Sequence, residues 1–523
     1  MHSSNTGGNQ ASAKAVLLFH LFLVSALIPP RAFGDIGVDV AAISGRTGGF
    51  GCFAWAGQKA GYAEFDALAI RYVRTTRDND SWTDFRTFRA FCEQRKIQWV
   101  YTLWQAPSAY KDGSNMLKDP AGFARYWKDV VAELDAHQCR PEFVDLMNEP
   151  DSKGVWSTGI TPAAMNILIS AVRREFDLAG YFNVGIAGPN LTSMSDWSGP
   201  KDYFQAMDAD AVKALSAFAS HPWGDDVARA GCQGGADCTT QTWPAFGETA
   251  RAKDPGKPIW VLEYATRQYT YDGIAYPDPD KVGQYNASFT MPYAVRTYEN
   301  TLAFLNLGVT VPFYWDAADA PGSSKQWGYL DERGARKPIY ETLKALFPHV
   351  AAGSAILKTI QDSALYAGAY LHDTDMTLAI ANDSKTLRTA TVRFTHAGPS
   401  LSMAGAIAVE TAERKDPALK QADVSIVSAK ALSLIDAGDG AYTLRVLVPG
   451  YSVLTVSLIR KAAATGVQAI LSSSRSASQS EDQSASAEES ADRNSYSHVW
   501  SGHDALGRAE SFRFSPGTGK VPK

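Results

Sequence analysis

Pro258-Ile259-Trp260-Val261-Leu262-Glu263-Tyr264 is a short apolar run that ends in a carboxylate, and Phe143-Val144-Asp145-Leu146-Met147-Asn148-Glu149-Pro150 is a second. A glutamate directly after such a run is costly unless it is paired or does chemistry. Both runs have the length and the β-branched and aromatic content of strands. Six more lie between Asp35 and about Phe347: Ile36 to Val40, Ile70 to Thr75, Gln98 to Trp104, Val184 to Ala187, Ala217 to Ser220 and Thr310 to Tyr314. Between and after them fall stretches of helical periodicity at Ala63 to Ala69, Trp82 to Gln94, Pro120 to Ala136, Pro162 to Ala179, Asp202 to Leu215, Ala245 to Ala252, Val295 to Leu307 and Pro338 to Leu346. Strand and helix alternating in this way predict an α/β fold, a (β/α)8 TIM barrel. A doubly wound open sheet would often carry a glycine-rich phosphate loop after its first strand, and Gly37-Val38-Asp39-Val40 is not one.

In a barrel the active site lies at the C-terminal ends of the strands. Glu149 and Glu263 follow the fourth and seventh runs, whose tips can face one another. Two facing carboxylates in a dry cleft separate in pKa, one ionised and the other protonated, and hydrolysis of a glycosidic bond requires that division. Asp145 reads as a hydrogen-bonded structural carboxylate near the pair.

The rest of the chain sets the context. It has 523 residues, a net charge of −5, 45% hydrophobic and 20% charged residues. Nothing in that balance suggests nucleic acid as a partner. Residues 1–34 carry a charged flank, an apolar centre from Ala15 to Ile28 and small residues at Ala32 and Gly34. They read as an export signal cleaved before Asp35, so the mature protein is expected to be secreted or periplasmic. No later segment is apolar for long enough to be a transmembrane helix. Of the five cysteines, Cys232 and Cys238 are the expected disulfide pair and at least one other stays free. There is no CxxC pair or His/Cys cluster with metal spacing, and no metal or organic cofactor is expected.

The catalytic barrel is expected over 35–350. From 351 to 461 the period changes to strand-like alternation, as in Met376 to Asn382 and Thr389 to Thr395, and a β-sandwich domain is expected. Ser472 to Ser497 holds 11 serines in 26 residues, so 462–523 is expected to be a disordered tail. The 13 Trp, 22 Tyr and 23 Phe either fill a large core or stack on flat ligands. Most belong to the barrel core, but Trp104, Trp223 and Trp315 fall at strand ends beside the glutamates, where rings can stack on sugars.

Asn148-Glu149-Pro150 after strand four, with Glu263 after strand seven, resembles the (β/α)8 retaining glycoside hydrolases of clan A. The resemblance covers residues 35 to about 347 and implies that Glu149 is the acid/base, Glu263 the nucleophile and Asn148 a ligand of the sugar 2-hydroxyl. It further implies that Arg74 holds the nucleophile ionised, that His221-Pro222-Trp223 stands where several families have His-x-Tyr, and that Trp315 lies under the sugar at the cleaved residue. Trp223 departs from that pattern, which leaves Tyr264 or another tyrosine to bond the nucleophile. A barrel followed by a sandwich is similar to families 39, 30, 51 and 79, and Asn-Glu-Pro-Asp also resembles family 5; families 39 and 5 are the nearest on these motifs. The expected activity is retaining hydrolysis of O-glycosidic bonds, β in configuration, in a polysaccharide or oligosaccharide. The alternative is an exported carbohydrate-binding protein that has lost turnover. A Ser or Cys hydrolase is weaker, since no Gly-x-Ser-x-Gly elbow occurs.

Overall fold

The computed structural model describes residues 33–461 apart from 79, 153–156, 192–199, 223–246, 267–268, 272–273, 277–286, 321–325, 362–364, 412–421 and 428–431. Residues 1–32 of the expected export signal, Trp223, the Cys232 and Cys238 pair and the serine-rich tail lie outside them.

The first strand, β1 (Phe33–Arg46), does not enter the barrel. It pairs antiparallel with β12 (Ala355–Gln361) and parallel with β15 (Arg388–Thr395), in the C-terminal sheet. This corrects the sequence expectation for Ile36 to Val40, and the reason is visible in the chain. Ile36, Val38 and Val40 are buried while Gly37 and Asp39 are only partly so. Such one-sided alternation belongs to a sheet covered on one face, whereas strands of a parallel barrel are covered on both faces.

The barrel opens instead with β2 (Phe50–Phe53), all four residues of which are buried. It continues through β3 (Ile70–Thr75), β4 (Gln98–Thr102), β5 (Phe143–Asp145), β6 (Gly185–Leu191), β7 (Ala217–Ser220) and β8 (Ile259–Tyr264). After a two-stranded ribbon, β9 (Tyr269–Tyr271) and β10 (Ile274–Tyr276), β11 (Val311–Tyr314) pairs with both β8 and β2 and closes a parallel ring of eight.

Large rings from one arc of the wall fill the interior against very small residues on the other. Trp260 packs on Phe143 (centroids 4.8 Å apart), Tyr72 and Phe313, and Ala187, Ala217 and Ala219 on the intervening strands β6 and β7 leave the room for these rings. Gly51 and Gly185 belong to this arrangement: a Cβ on Gly51 would lie 2.4 Å from the Phe313 ring, and one on Gly185 2.5 Å from Phe143.

Helices Trp82–Gln94, Pro120–Ala136 and Pro338–Leu346 have their expected bounds. Ser81, Asp119, Thr161 and Thr290 cap helices by accepting from Asp84, Gly122, Ala164 and Tyr293 N–H groups, the last three ahead of a proline in the first turn. The stretch Asp202 to Leu215 is two helices, Pro200–Ala206 and Ala209–Ala214, because Asp208 accepts from the Ala211 N–H and caps a new start at Ala209. Near the first barrel strand the helix is Lys59–Ala63, earlier than Ala63 to Ala69.

The C-terminal sheet adds β13 (Tyr366–His372), β14 (Asp375–Asn382), β16 (Ser400–Thr411), β17 (Ala422–Val427), β18 (Ser433–Gly438), β19 (Ala441–Val448) and β20 (Ser452–Lys461). Its order is β17-β16-β20-β14-β13-β12-β1-β15-β19-β18. Residues of β19 approach β14 and β20, which are not its ladder neighbours. Val392, Leu444 and Val446 thereby share a core with Leu378, Ile380 and Val456, and the two halves form the expected sandwich. The sheet covers the helix Met291–Asn306, which is buried almost all round, its polar Thr297, Glu299, Asn300 and Thr301 included. Tyr298 meets Thr455 at 3.1 Å, and Asn306 donates to the Ala367 carbonyl at 2.9 Å.

Candidate active site

Strand alternation delivers most of the site. Tyr72, Val100, Phe143, Ala219 and Phe313 line the interior, so the residue two places on in each strand also faces inward. These are Arg74, Thr102, Asp145, His221 and Trp315. On β2, Gly51 abuts the interior Phe313 ring, and the same step leads to Phe53 and then Trp55. The two glutamates arrive by irregular backbone. Trp260 and Leu262 both face the interior, so regular alternation would turn Glu263 outward. The β8/β11 register slips between Val261 and Tyr264, a bulge of one residue that re-aims Glu263 inward and Tyr264 outward. Glu149 sits in the left-handed region (φ +45°), its N–H donating to the Asn190 carbonyl at 3.1 Å. Asn190 is itself left-handed (φ +58°) at a register slip of β6. Such strained positions persist where the surrounding structure over-determines them, which active sites do.

Arg74 is the hub and is fully buried. Its Nη1 is ion-paired with Glu263, and its Nε and Nη2 donate to Asp145 Oδ2 at 3.0 and 2.6 Å. Nη2 also reaches Asn148 Oδ1 at 2.9 Å and Thr102 Oγ1 at 3.2 Å, while the Thr102 hydroxyl donates to Asp145 at 2.9 Å. The contact with Asn148 commits that amide's oxygen inward, which fixes its other end as a donor. Burial pulls the Arg74 guanidinium down, but Glu263 and Asp145 more than offset this and raise it.

Glu149, His221 and Glu263 converge. One side-chain donor atom from each lies within 4.8 Å of the other two. His221 Nδ1 is 3.6 Å from Glu149 Oε1 and 3.7 Å from Glu263 Oε2. Burial raises the Glu263 carboxyl above the ordinary glutamate value; His221 and Arg74 pull against the rise and Glu149 adds to it. Of the two carboxylates Glu149 is the more accessible, at 18% against 4% for the side chain.

Half-buried Trp55, Trp104 and Trp315 gather on the buried Phe53 ring beside the acids. Phe53 lies 4.2 Å from Trp315, 5.1 Å from Trp55 and 5.6 Å from Trp104, centroid to centroid. The loop after β3 holds two of them. Trp104 Nε1 donates to Asp78 at 2.7 Å, and Asp80 accepts from the N–H groups of Ala56 and Gly57 beside Trp55, at 2.9 and 3.1 Å. The Arg74 guanidinium lies 5.5 Å from the Trp104 ring centroid.

The structure brings together Arg74, Trp104, Asn148, Glu149, His221, Glu263 and Trp315 from among the sequence-predicted residues. Tyr264 is a correction: its hydroxyl bonds Thr301 Oγ1 at 2.7 Å on the helix Met291–Asn306, away from the acids, because the bulge turned it out. Sequence reading missed Trp55, which follows the unrecognised strand β2, and Asp78, whose partner is visible only in three dimensions. Cys52, Cys92 and Cys139 are free, buried and distant in kind from any nucleophile: burial raises each thiol.

No family model matches this chain, and no curated protein matches it. Solved structures do. A GH30 endoxylanase from Clostridium papyrosolvens aligns with a TM-score of 0.58 at 14% identity, over 82% of this chain and 100% of that one. An endo-β1,6-glucanase aligns at 0.53 and 13% identity, over 82% and 94%. A family 51 α-L-arabinofuranosidase from Bifidobacterium longum aligns at 0.54 and 13%, over 82% and 100%. These neighbours are of families other than 39 and 5 where a family is named, so the leaning to those two is not supported by them. At such identity the likeness shows the fold alone, a closed parallel barrel of eight strands with a second sheet domain.

Proposed function

We propose that this chain is an exported glycoside hydrolase that cleaves β-linked polysaccharide or oligosaccharide with retention of configuration. The reading rests chiefly on the approach of Glu149 and Glu263, whose carboxylate oxygens come within 4.8 Å. Retaining enzymes hold their carboxyl groups about 5–5.5 Å apart, whereas inverting ones need roughly 6.5–9.5 Å to admit a water.

Each residue then has a task. Arg74 occupies one oxygen of Glu263 and favours its ionised form, leaving the other oxygen to attack the anomeric carbon. Glu149, the more accessible acid, protonates the departing oxygen. Charge on Glu263 favours a proton on Glu149, since two carboxylates this close resist joint ionisation. Once the glycosyl-enzyme forms, Glu263 is neutral, and Glu149 can accept a proton from the water that releases the sugar. Asn148, its oxygen taken by Arg74, offers N–H to the sugar 2-hydroxyl. Trp315, Trp104 and Trp55 form an apolar wall on which sugar faces stack. The named neighbours include a xylanase and a β1,6-glucanase, and a β-linked pentose or glucose polymer is the substrate class proposed here.

The test is a panel of fluorogenic aryl glycosides with wild type and Glu263→Ala. Turnover by wild type, its loss in the variant, and azide rescue giving a glycosyl azide of configuration opposite to the substrate are expected. Sugar binding without turnover in wild type would sink this reading in favour of a carbohydrate-binding protein.

A further inference from the structure

We propose that Glu149, His221 and Glu263 also form a site for a transition-metal dication of the zinc type, and that the bound ion blocks the cleft. His221 is completely buried, neither ring nitrogen has a hydrogen-bond partner among the described residues, and Nδ1 points between the two carboxylates. Three donors thus converge from three strand ends on one point.

The spacing suits a small ion. Zinc bound at about 2.0–2.2 Å in tetrahedral geometry sets neighbouring donors roughly 3.3–3.6 Å apart. The two edges from His221 Nδ1 measure 3.6 and 3.7 Å, already close to that figure. The Glu149–Glu263 edge, within 4.8 Å, closes by a small rotation of Glu149, whose partial exposure gives it room. Glu263 presents separate atoms to its two partners: Oε1 to Arg74 and Oε2 towards His221. The ion therefore does not displace the guanidinium.

Chemistry selects the metal. Imidazole suits zinc, copper and nickel, while magnesium and calcium prefer oxygen donors throughout. Two carboxylates match the charge of the dication, and the nearby Arg74 limits affinity by repulsion. An ion held here takes the oxygen that would attack the sugar and the one that would protonate the leaving group, so inhibition is competitive.

The experiment is calorimetric titration of the chelator-treated full chain with zinc sulfate at neutral pH, with magnesium chloride in parallel. Expected are zinc binding, no magnesium binding at the same concentrations, and at least about tenfold weaker zinc binding in both Glu149→Gln and His221→Gln. His396→Gln, which alters an exposed His–Asp pair with Asp39, leaves the binding unchanged. Glu149→Gln is nearly isosteric at a partly exposed position, so it decides the matter even if His221→Gln folds poorly. Zinc affinity equal to wild type in Glu149→Gln, or binding of magnesium as tight as zinc, overturns the proposal. The blocking step alone rests on the hydrolase reading. There, zinc should raise the apparent KM for an aryl glycoside without lowering kcat, and an unchanged KM contradicts it. A chain that binds zinc at these residues but turns over no glycoside would fail the function and keep the site; turnover with no zinc binding would do the reverse.

Discussion

Arg74 on β3 is ion-paired across the barrel with Glu263 on β8, and both side chains are almost wholly out of water. The same guanidinium holds Asp145, Asn148 and Thr102, so one cation orders four groups at once. Removing one partner of a buried pair leaves an uncompensated charge, which costs about 3–5 kcal/mol. Arg74→Met should therefore lower thermal stability by that order and reduce kcat/KM at least a hundredfold. Calorimetry together with aryl-glycoside kinetics checks both, and a variant as stable and active as wild type would contradict the hub.

The pH profile follows from Glu263. Its carboxyl is raised above the ordinary 4.5 by burial, so the acid limb of kcat/KM should lie above that value. As pH falls through the raised pKa, Glu263, the proposed nucleophile, takes a proton, and activity is expected to be lost. Arg74 pulls the value down, so the residual activity of Arg74→Met should show the limb moved higher still. A limb at or below 4.5 in wild type would be the contrary result.

Tyr264 adjoins Glu263 in sequence but bonds Thr301 outside the barrel. Tyr264→Phe should lose about 0.5–1.5 kcal/mol of stability, the net worth of one hydrogen bond, and keep kcat within a factor of about three. Loss of activity a hundredfold or more would place the hydroxyl at the reacting centre after all.

Behind Trp315 lies a buried charge cluster. Asp319 and Lys337 are paired at 2.7 Å, and burial and Asp319 raise the Asp316 carboxyl well above its ordinary value, against the pull of Lys337. A raised folded pKa gives stability that is complete below the ordinary value and is lost as pH rises through the raised one. Asp316→Asn should thus gain on wild type in melting temperature as pH rises from 3 to 7, whereas Lys337→Met should lose about 3–5 kcal/mol at neutral pH. Parallel melting curves of Asp316→Asn and wild type across that range would refute the assignment.

How much of this could be read from the chain depended on where backbone regularity holds. Seven barrel strands were legible because each is a short apolar run bounded by polar loops, and Arg74, His221 and Trp315 followed from being at their ends. The first barrel strand was not, since Phe50–Phe53 is only four residues long and the more conspicuous Ile36 to Val40 run lies just before it. With it went Trp55. Glu263 was found for a reason that regular alternation does not supply: the bulge that turns it inward is set by pairing with β11, some fifty residues on. Tyr264 was misplaced by the same bulge. Asp78 could not have been singled out, because its grip on Trp104 joins two loops that only the closed barrel brings together.

The central claim, that Glu149 and Glu263 act by double displacement, is tested most directly by the stereochemistry of the first product. Proton NMR during hydrolysis of an activated β-glycoside by wild type should show the β-anomer accumulating first and mutarotating afterwards. Appearance of the α-anomer first would mean inversion and would contradict the account.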